Sequence, residues 1–133
     1  MKYRLLITLL TAYTLLTACE ANTSNVNYAN PSVTQASSSV ASEIAAKQAI
    51  LLDVRTPDEY ASGHVAQAIL APYDSIGEKI AQIAPDKAQK IYLYCRSGRR
   101  SGIATETLKS MGYTNVTDLG GLSHLGQYSL SVQ

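Results

Sequence analysis

The polar and apolar positions of this chain change rhythm several times, and each change marks an element. Residues 49–54, AILLDV, form a short run of branched apolar residues, the pattern of a strand buried on both faces. Thr56-Pro57-Asp58-Glu59 follows at once and reads as a capping box with proline at the first helical position, so a helix starts there and Gly63 stops it. Residues 68–71 predict a brief second strand. Ser75-Ile76-Gly77-Glu78 is another S-x-x-E start, and Ile76, Ile80 and Ile83 mark one buried helical face that Pro85 ends. Residues 91–94, IYLY, predict the third strand. Residues 101–111 predict a helix with Ile103, Leu108 and Met111 inward, closed by Gly112. Residues 115–119 predict the last strand before Gly120-Gly121, and residues 122–130 a short helix. Strand and helix alternate four times, which predicts an α/β domain with a central, mainly parallel sheet flanked by helices. In such sheets ligands sit outside the carboxyl ends of the strands, so the residues after Tyr94 are where chemistry is expected.

The segment ahead of that pattern has a different character. Lys2 and Arg4 precede an apolar run over residues 5–16. A bilayer span needs roughly 20 apolar residues, so this run is too short for a permanent anchor and fits a secretory signal peptide. It ends in Leu16-Thr17-Ala18-Cys19, which resembles the lipobox of bacterial lipoproteins, where cleavage precedes the cysteine and its thiol takes a lipid. Ordinary cleavage, for example after Ala21, stays open as the other mode and would discard Cys19. Residues 20–40 hold no Lys or Arg and are dominated by Ser, Asn, Thr and Ala. Such a stretch buries too little apolar surface to offset its ordering entropy and reads as a tether. The expected organisation is therefore a signal peptide over 1–18, a tether over 19–40 and one folded domain over 41–133. The product would be periplasmic, with possible membrane attachment through lipid on Cys19.

Composition narrows the function. Of the 133 residues, 11 are Lys or Arg and 10 are Asp or Glu, so there is no basic excess of the kind a nucleic-acid binder needs. Loss of Lys2 and Arg4 with the signal leaves 9 cations against 10 acids. Apolar content of 46% and charged content of 16% describe a globular chain, whose nine Tyr supply all its aromatic area. Two Cys and two His are too few for a tetrahedral zinc site, so neither metal nor cofactor is expected.

The loop after Tyr94 reads Cys95-Arg96-Ser97-Gly98-Arg99-Arg100-Ser101 and leads into a helix expected from about Ser101. Between Asp86 and Glu106 there is no acid, while Lys87, Lys90, Arg96, Arg99 and Arg100 are basic. A helix N-terminus with nearby arginines lowers a thiol's pKa, and the thiolate is the attacking form. Gly98 permits a tight turn whose N–H groups converge as an anion-binding nest. The alternative, a buried inert thiol among solvated arginines, does not suit a polar, cationic, glycine-bearing turn. With Cys19 lipidated or removed, Cys95 has no disulfide partner in an oxidising compartment.

The motifs LDVRTPDEY (52–60), Gly63-His64-Val65 and Tyr94 to Ser101 together resemble the single-domain rhodaneses, thiosulfate sulfurtransferases, and within them the small periplasmic type. Pro85-Asp86-Lys87, MGYTNV (111–116) and Gly120-Gly121-Leu122 add to the likeness, which covers about residues 45–125. The resemblance implies that Cys95 attacks the sulfane sulfur of thiosulfate, sulfite leaves, and a Cys95 persulfide passes its sulfur to cyanide or a thiol. It implies that Arg100 and the loop residues Arg96, Ser97, Gly98, Arg99 and Ser101 bind the anionic donor, with Arg96 and Arg99 steering from the rim. Asp53 and Arg55 are expected as a supporting polar pair near the loop, and His64 as a helix-end hydrogen-bonding residue. Gln67 stands where the family usually has Gly, and Leu70-Ala71 replace a common Asn-Ile pair, which bears on donor or acceptor preference.

Two rivals share these motifs. Cys-dependent phosphatases and arsenate reductases also place a thiolate in an anion loop, but the phosphatases put their Arg six positions after the Cys. Here that position is Ser101, and the spaced cation is Arg100, one residue sooner. The shorter loop suits one sulfur atom better than a tetrahedral phosphate. A non-catalytic persulfide carrier or redox-sensing module would carry the same sequence and differ only in turnover.

Overall fold

The computed structural model describes residues 40–133; the signal, tether and Cys19 expectations lie outside the described residues. Residues 40–45 are helical (α1), and β1 (Ala49–Asp53), α2 (Pro57–Ala61), β2 (Ile69–Leu70), α3 (Ile76–Ile83), β3 (Lys90–Tyr94), α4 (Arg99–Ser110) and β4 (Val116–Gly120) follow. A 3-10 helix over Leu122–Tyr128 closes the order, where a short helix to residue 130 was expected. The four strands form one sheet in the order β2-β1-β3-β4 with every pairing parallel. This is the expected α/β architecture.

Alternation along the strands sorts the core into two halves. Leu52 and Val54 of the first strand segment, with Ile91, Leu93 and Cys95, pack against Ile76 and Ile80 of α3 and Ala104 and Leu108 of α4. Leu51, Tyr92, Tyr94 and Leu119 face the other way, onto Val40, Ile44, Val65, Leu125 and Leu130. Helices therefore cover both faces, and Cys95 is committed to the α4 side by its odd-numbered register with Ile91 and Leu93.

Two boundary expectations needed correction. The α4 helix starts at Arg99 rather than Ser101, and its buried stripe is Ser101, Ala104, Thr105 and Leu108. Ile103 falls off that stripe and is 42% exposed, because the small polar Ser101, not an apolar residue, occupies the inward position beside the loop. At the start of α3, Ser75 makes no side-chain cap; its hydroxyl turns to the Pro72 carbonyl at 3.4 Å.

On the face opposite Cys95 lies a closed polar network. Asp53 is fully buried and takes both Nε (2.9 Å) and Nη2 (2.6 Å) of Arg55, whose Nη2 also donates to the Gly63 carbonyl at 2.7 Å. Tyr94 donates its hydroxyl to Asp53 at 2.8 Å and accepts from the Val65 amide at 3.2 Å. Burial above all pushes the Tyr94 phenol up, so it remains a donor at any working pH. A buried carboxylate left without its cation costs about 3–5 kcal/mol, whereas one lost neutral hydrogen bond costs about 1 kcal/mol. Urea unfolding should accordingly show Arg55→Met several-fold more destabilising than Tyr94→Phe; equal losses would mean that Asp53 is not carried by Arg55.

Candidate active site

The chain leaves β3 at Tyr94 and turns into α4 through Cys95–Gly98. Gly98 sits at the helix start with φ +93°, a left-handed conformation open to glycine at little cost. That geometry aims its amide at Cys95, with N 3.0 Å from Sγ. Ser101, one turn into α4, brings its Oγ to 3.6 Å from the same sulfur while donating to the Gly98 carbonyl at 2.9 Å. The loop thus closes on one sulfur atom, which accepts from the Gly98 amide and, as a thiol, donates to the Ser101 hydroxyl.

The loop is also anchored from behind. The Cys95 amide donates to the Gly120 carbonyl (3.0 Å) and the Leu122 amide to the Arg96 carbonyl (3.1 Å), so the β3–β4 pairing runs on past the strand end. Register slips by one residue between Leu93 and Tyr94, which pair with Asp118 and Gly120. At Gly121 a Cβ would stand 2.8 Å from the Arg96 carbonyl oxygen and 3.0 Å from the Ser97 Cα. Only a residue without a side chain fits there. Gly120-Gly121, a glycine pair at the end of a strand, is the local signal in the sequence for this close approach.

Burial is the largest single influence on the Cys95 thiol and pushes its pKa up. The Ser101 hydroxyl and the amides of Ser101, Ser97 and Gly98 oppose it and together leave the thiol below its ordinary value. The expected lowering is present, and the converging N–H groups expected of the turn and helix start supply it together with the Ser101 hydroxyl; the exposed rim arginines Arg96 and Arg99 are not among its causes. Arg96 and Arg99 are exposed, and neither makes a side-chain hydrogen bond or ion pair among the described residues. Ser97 is also exposed and pairs through its backbone with Gly121.

Arg100 has a partner that sequence reading did not assign. Its Nη1 and Nη2 donate to the two carboxylate oxygens of Glu59 at 2.6 and 2.8 Å, the bidentate geometry that makes Arg–carboxylate pairs strong. Glu59 is the last residue of the capping box: it accepts from the Thr56 amide at 3.2 Å, and its own amide donates to Thr56 Oγ1 at 3.3 Å. One carboxylate therefore starts α2 and clamps the guanidinium of α4. The Arg100 contact, opposed by partial burial and aided by Thr56, lowers the Glu59 pKa to about 2. Arg100 is held cationic first by Glu59, with the Cys95 sulfur contributing.

His64 stacks on Tyr60, ring centroids 3.6 Å apart, with Nδ1 2.9 Å from the Tyr60 carbonyl, so Nδ1 carries the proton and donates. It closes the end of α2. Asp53 and Arg55 lie in the network on the far face of the sheet. No three His, Cys, Asp or Glu side chains cluster as a metal site among the described residues.

Comparison with known proteins gives the chain its family. The family described as the rhodanese-like domain matches residues 37–125. The chain belongs to that family. Thiosulfate sulfurtransferase PspE of Escherichia coli is 45% identical over 74 residues, covering 56% of this chain and 71% of the relative. The thiosulfate:glutathione sulfurtransferase of Saccharomyces cerevisiae is 37% identical over 79 residues, covering 51% of this chain and 57% of the relative. A solved rhodanese with anions from E. coli superposes with a TM-score of 0.55 at 44% identity, covering 56% of this chain and 88% of that one.

A lowered thiol pKa shifts the alkylation curve to lower pH, since the reactive thiolate fraction falls only as pH drops through that pKa. Iodoacetamide labelling of Cys95 should titrate below a free cysteine, and Ser101→Ala should slow labelling at neutral pH by up to about tenfold, the worth of one hydrogen bond to a charged group. An unchanged profile in the variant would remove Ser101 from the stabilisation.

Proposed function

We propose that the chain is a sulfurtransferase that moves the sulfane sulfur of thiosulfate through a persulfide on Cys95. The observation that carries the reading is the sulfur's environment: a thiol with lowered pKa, Gly98 N at 3.0 Å and Ser101 Oγ at 3.6 Å, in the turn that leads into α4. In the first half-reaction the Cys95 thiolate attacks the outer sulfur of thiosulfate. The new bond joins Sγ to that sulfur, the S–S bond of thiosulfate breaks, and its electron pair leaves on sulfite. In the second, cyanide or a thiolate attacks the outer sulfur of the persulfide and Sγ departs as thiolate. A thiolate ready at the start needs no general base, which agrees with His64 being turned to its own helix end.

Donor recognition falls to the loop amides and to Arg100, with Arg96 and Arg99 drawing anions to the rim and Ser97 forming the outer edge. Glu59 neutralises most of the Arg100 charge at rest, so the guanidinium serves as a placed hydrogen-bond donor more than as a bare cation. Cys95 is buried at the base of the turn, so the donor meets it through the loop rim. Export, with cleavage before Cys19 and lipid on its thiol, completes the proposal on the strength of the Leu16–Cys19 motif.

Cys95→Ser should abolish thiosulfate:cyanide turnover; activity above a trace would remove Cys95 from the mechanism. Arg100→Ala should raise the KM for thiosulfate by about ten- to a hundredfold, the range of one charge-assisted contact, and an unchanged KM would count against its donor-holding role. Many turnovers per molecule distinguish an enzyme from a carrier labelled once. Intact mass of the protein isolated from its own cell should show lipid on Cys19, and after thiosulfate treatment one added sulfur on Cys95.

A further inference from the structure

Between Asp86 and Glu106 the chain holds no acid, yet one carboxylate reaches the sulfur loop from a distant part of the sequence. Glu59 of α2 accepts at Oε2 from Arg100 Nη1 (2.6 Å), the Thr56 hydroxyl (3.1 Å) and the Thr56 amide (3.2 Å), and at Oε1 from Arg100 Nη2 (2.8 Å). It is pinned from two sides, by the start of α2 and by the guanidinium. Among the described residues no other carboxylate pairs with a loop arginine. With its pKa lowered to about 2, chiefly by Arg100, Glu59 stays anionic at any working pH.

Arg100 stands between this carboxylate and the sulfur. It directly precedes Ser101, whose Oγ lies 3.6 Å from Sγ, and the Cys95 sulfur, by charge and by hydrogen bonding, favours the cationic form of the guanidinium. Side-chain exposures of 20% for Arg100 and 25% for Glu59 leave both charges only partly screened by solvent. The charges at the base of the turn therefore sum to a negative value. The thiolate, or the persulfide that replaces it, contributes one negative charge and Glu59 another, against the single positive charge of Arg100. Arg96 and Arg99 stand at the exposed rim. An anion is thus drawn to the rim and repelled by the base, and the repulsion grows with the charge the anion carries.

This arrangement sorts the nucleophiles that compete for a persulfide. Sulfite released in the first half-reaction can return. Its sulfur then attacks the outer sulfur of the persulfide, the S–S bond of thiosulfate re-forms, the bond to Sγ breaks, and Cys95 leaves as thiolate with nothing transferred. In mildly alkaline solution sulfite is doubly charged, whereas cyanide carries at most one charge. We infer that Glu59 is a specificity-determining residue that acts through Arg100 to disfavour doubly charged nucleophiles, so that the persulfide passes to acceptors of low charge instead of back to sulfite. The inference rests on the sulfurtransferase reading. Thiosulfate, itself a dianion, is held back by the same charge, and the rim arginines offset this on entry. Glu59 touches no reacting atom in this account; it sets the charge that the sulfur's visitors meet.

The test follows the Cys95 persulfide of the full mature chain, formed with thiosulfate, by intact mass after mixing with sulfite or with cyanide in mildly alkaline buffer. Glu59→Gln keeps an oxygen for the Thr56 amide and for one Arg100 nitrogen but removes the charge. It should raise the ratio of the sulfite rate to the cyanide rate by about three- to tenfold, the worth of one partly screened charge, and lower the KM for thiosulfate by a similar factor. Arg100→Gln leaves the Glu59 charge bare and should lower the same ratio by about three- to tenfold. Opposite responses from the two halves of one ion pair distinguish a charge effect from a lost structural tie, which would slow both nucleophiles alike in either variant. Added salt should narrow the differences, since screening weakens a charge effect and does not restore a misplaced side chain. Each variant is decisive by itself in folded protein. A ratio unmoved by Glu59→Gln, or one that fails to fall in Arg100→Gln, would overturn the role of Glu59 while persulfide formation still upheld the sulfurtransferase reading. Absence of any Cys95 persulfide in the unsubstituted protein would overturn that reading and the role of Glu59 with it.

Discussion

A sulfur anion inside a protein has lost most of its water, and something must replace that solvation or the proton returns. In this fold the replacement is the four-residue turn Cys95–Gly98 between β3 and α4 with the first turn of α4, where the Gly98 amide and the Ser101 hydroxyl approach Cys95 Sγ at 3.0 and 3.6 Å. Burial and donors pull the thiol in opposite directions, and the donors win. Their advantage depends on the backbone of the turn holding its shape. The left-handed Gly98, the backing by β4 and the side-chain-free Gly121 after it, and the hydrogen bonds donated by the Cys95 and Leu122 amides all serve that one requirement.

The sheet separates this chemistry from its mechanical support. Odd-numbered positions of β3 carry the chain to Cys95 on the α4 face, while Tyr94, one residue earlier, is directed to the other face and locks onto Asp53 and Arg55. Neighbouring residues thus perform unrelated tasks because alternate side chains point to opposite sides. The second support runs along the top of the sheet, where Glu59 joins the start of α2 to the start of α4 through Arg100. That tie survives acid: with Glu59 near pKa 2, its stabilising contribution is present above the ordinary carboxylate value and fades only as pH falls from about 4.5 toward about 2.

Local signals make much of this legible in the sequence. The Thr56-to-Glu59 capping box, the apolar strands and the cysteine–glycine–arginine turn depend on neighbours in sequence, and each stands where its pattern placed it. What escaped depends on residues far apart in the chain. The capping glutamate's second bond is to an arginine 41 positions away, and no local pattern marks it. Ile103 was assigned inward on hydrophobicity alone, yet Ser101 and Thr105 take the inward stripe, since the residue beside the sulfur must be small and able to donate. The thiol's lowered pKa follows from the converging amides that a glycine-bearing turn before a helix implies, while the share expected from the rim arginines Arg96 and Arg99 is not seen.

The complete enclosure of the Cys95 sulfur bears on endurance as well as reactivity. Thiolates in contact with peroxide climb an oxidation ladder whose upper rungs are irreversible. A closed rim keeps such reagents from the sulfur at rest, so the ionised state can be stored without being spent. The burial that opposes ionisation of the thiol thus also shields the sulfur that the turn keeps reactive.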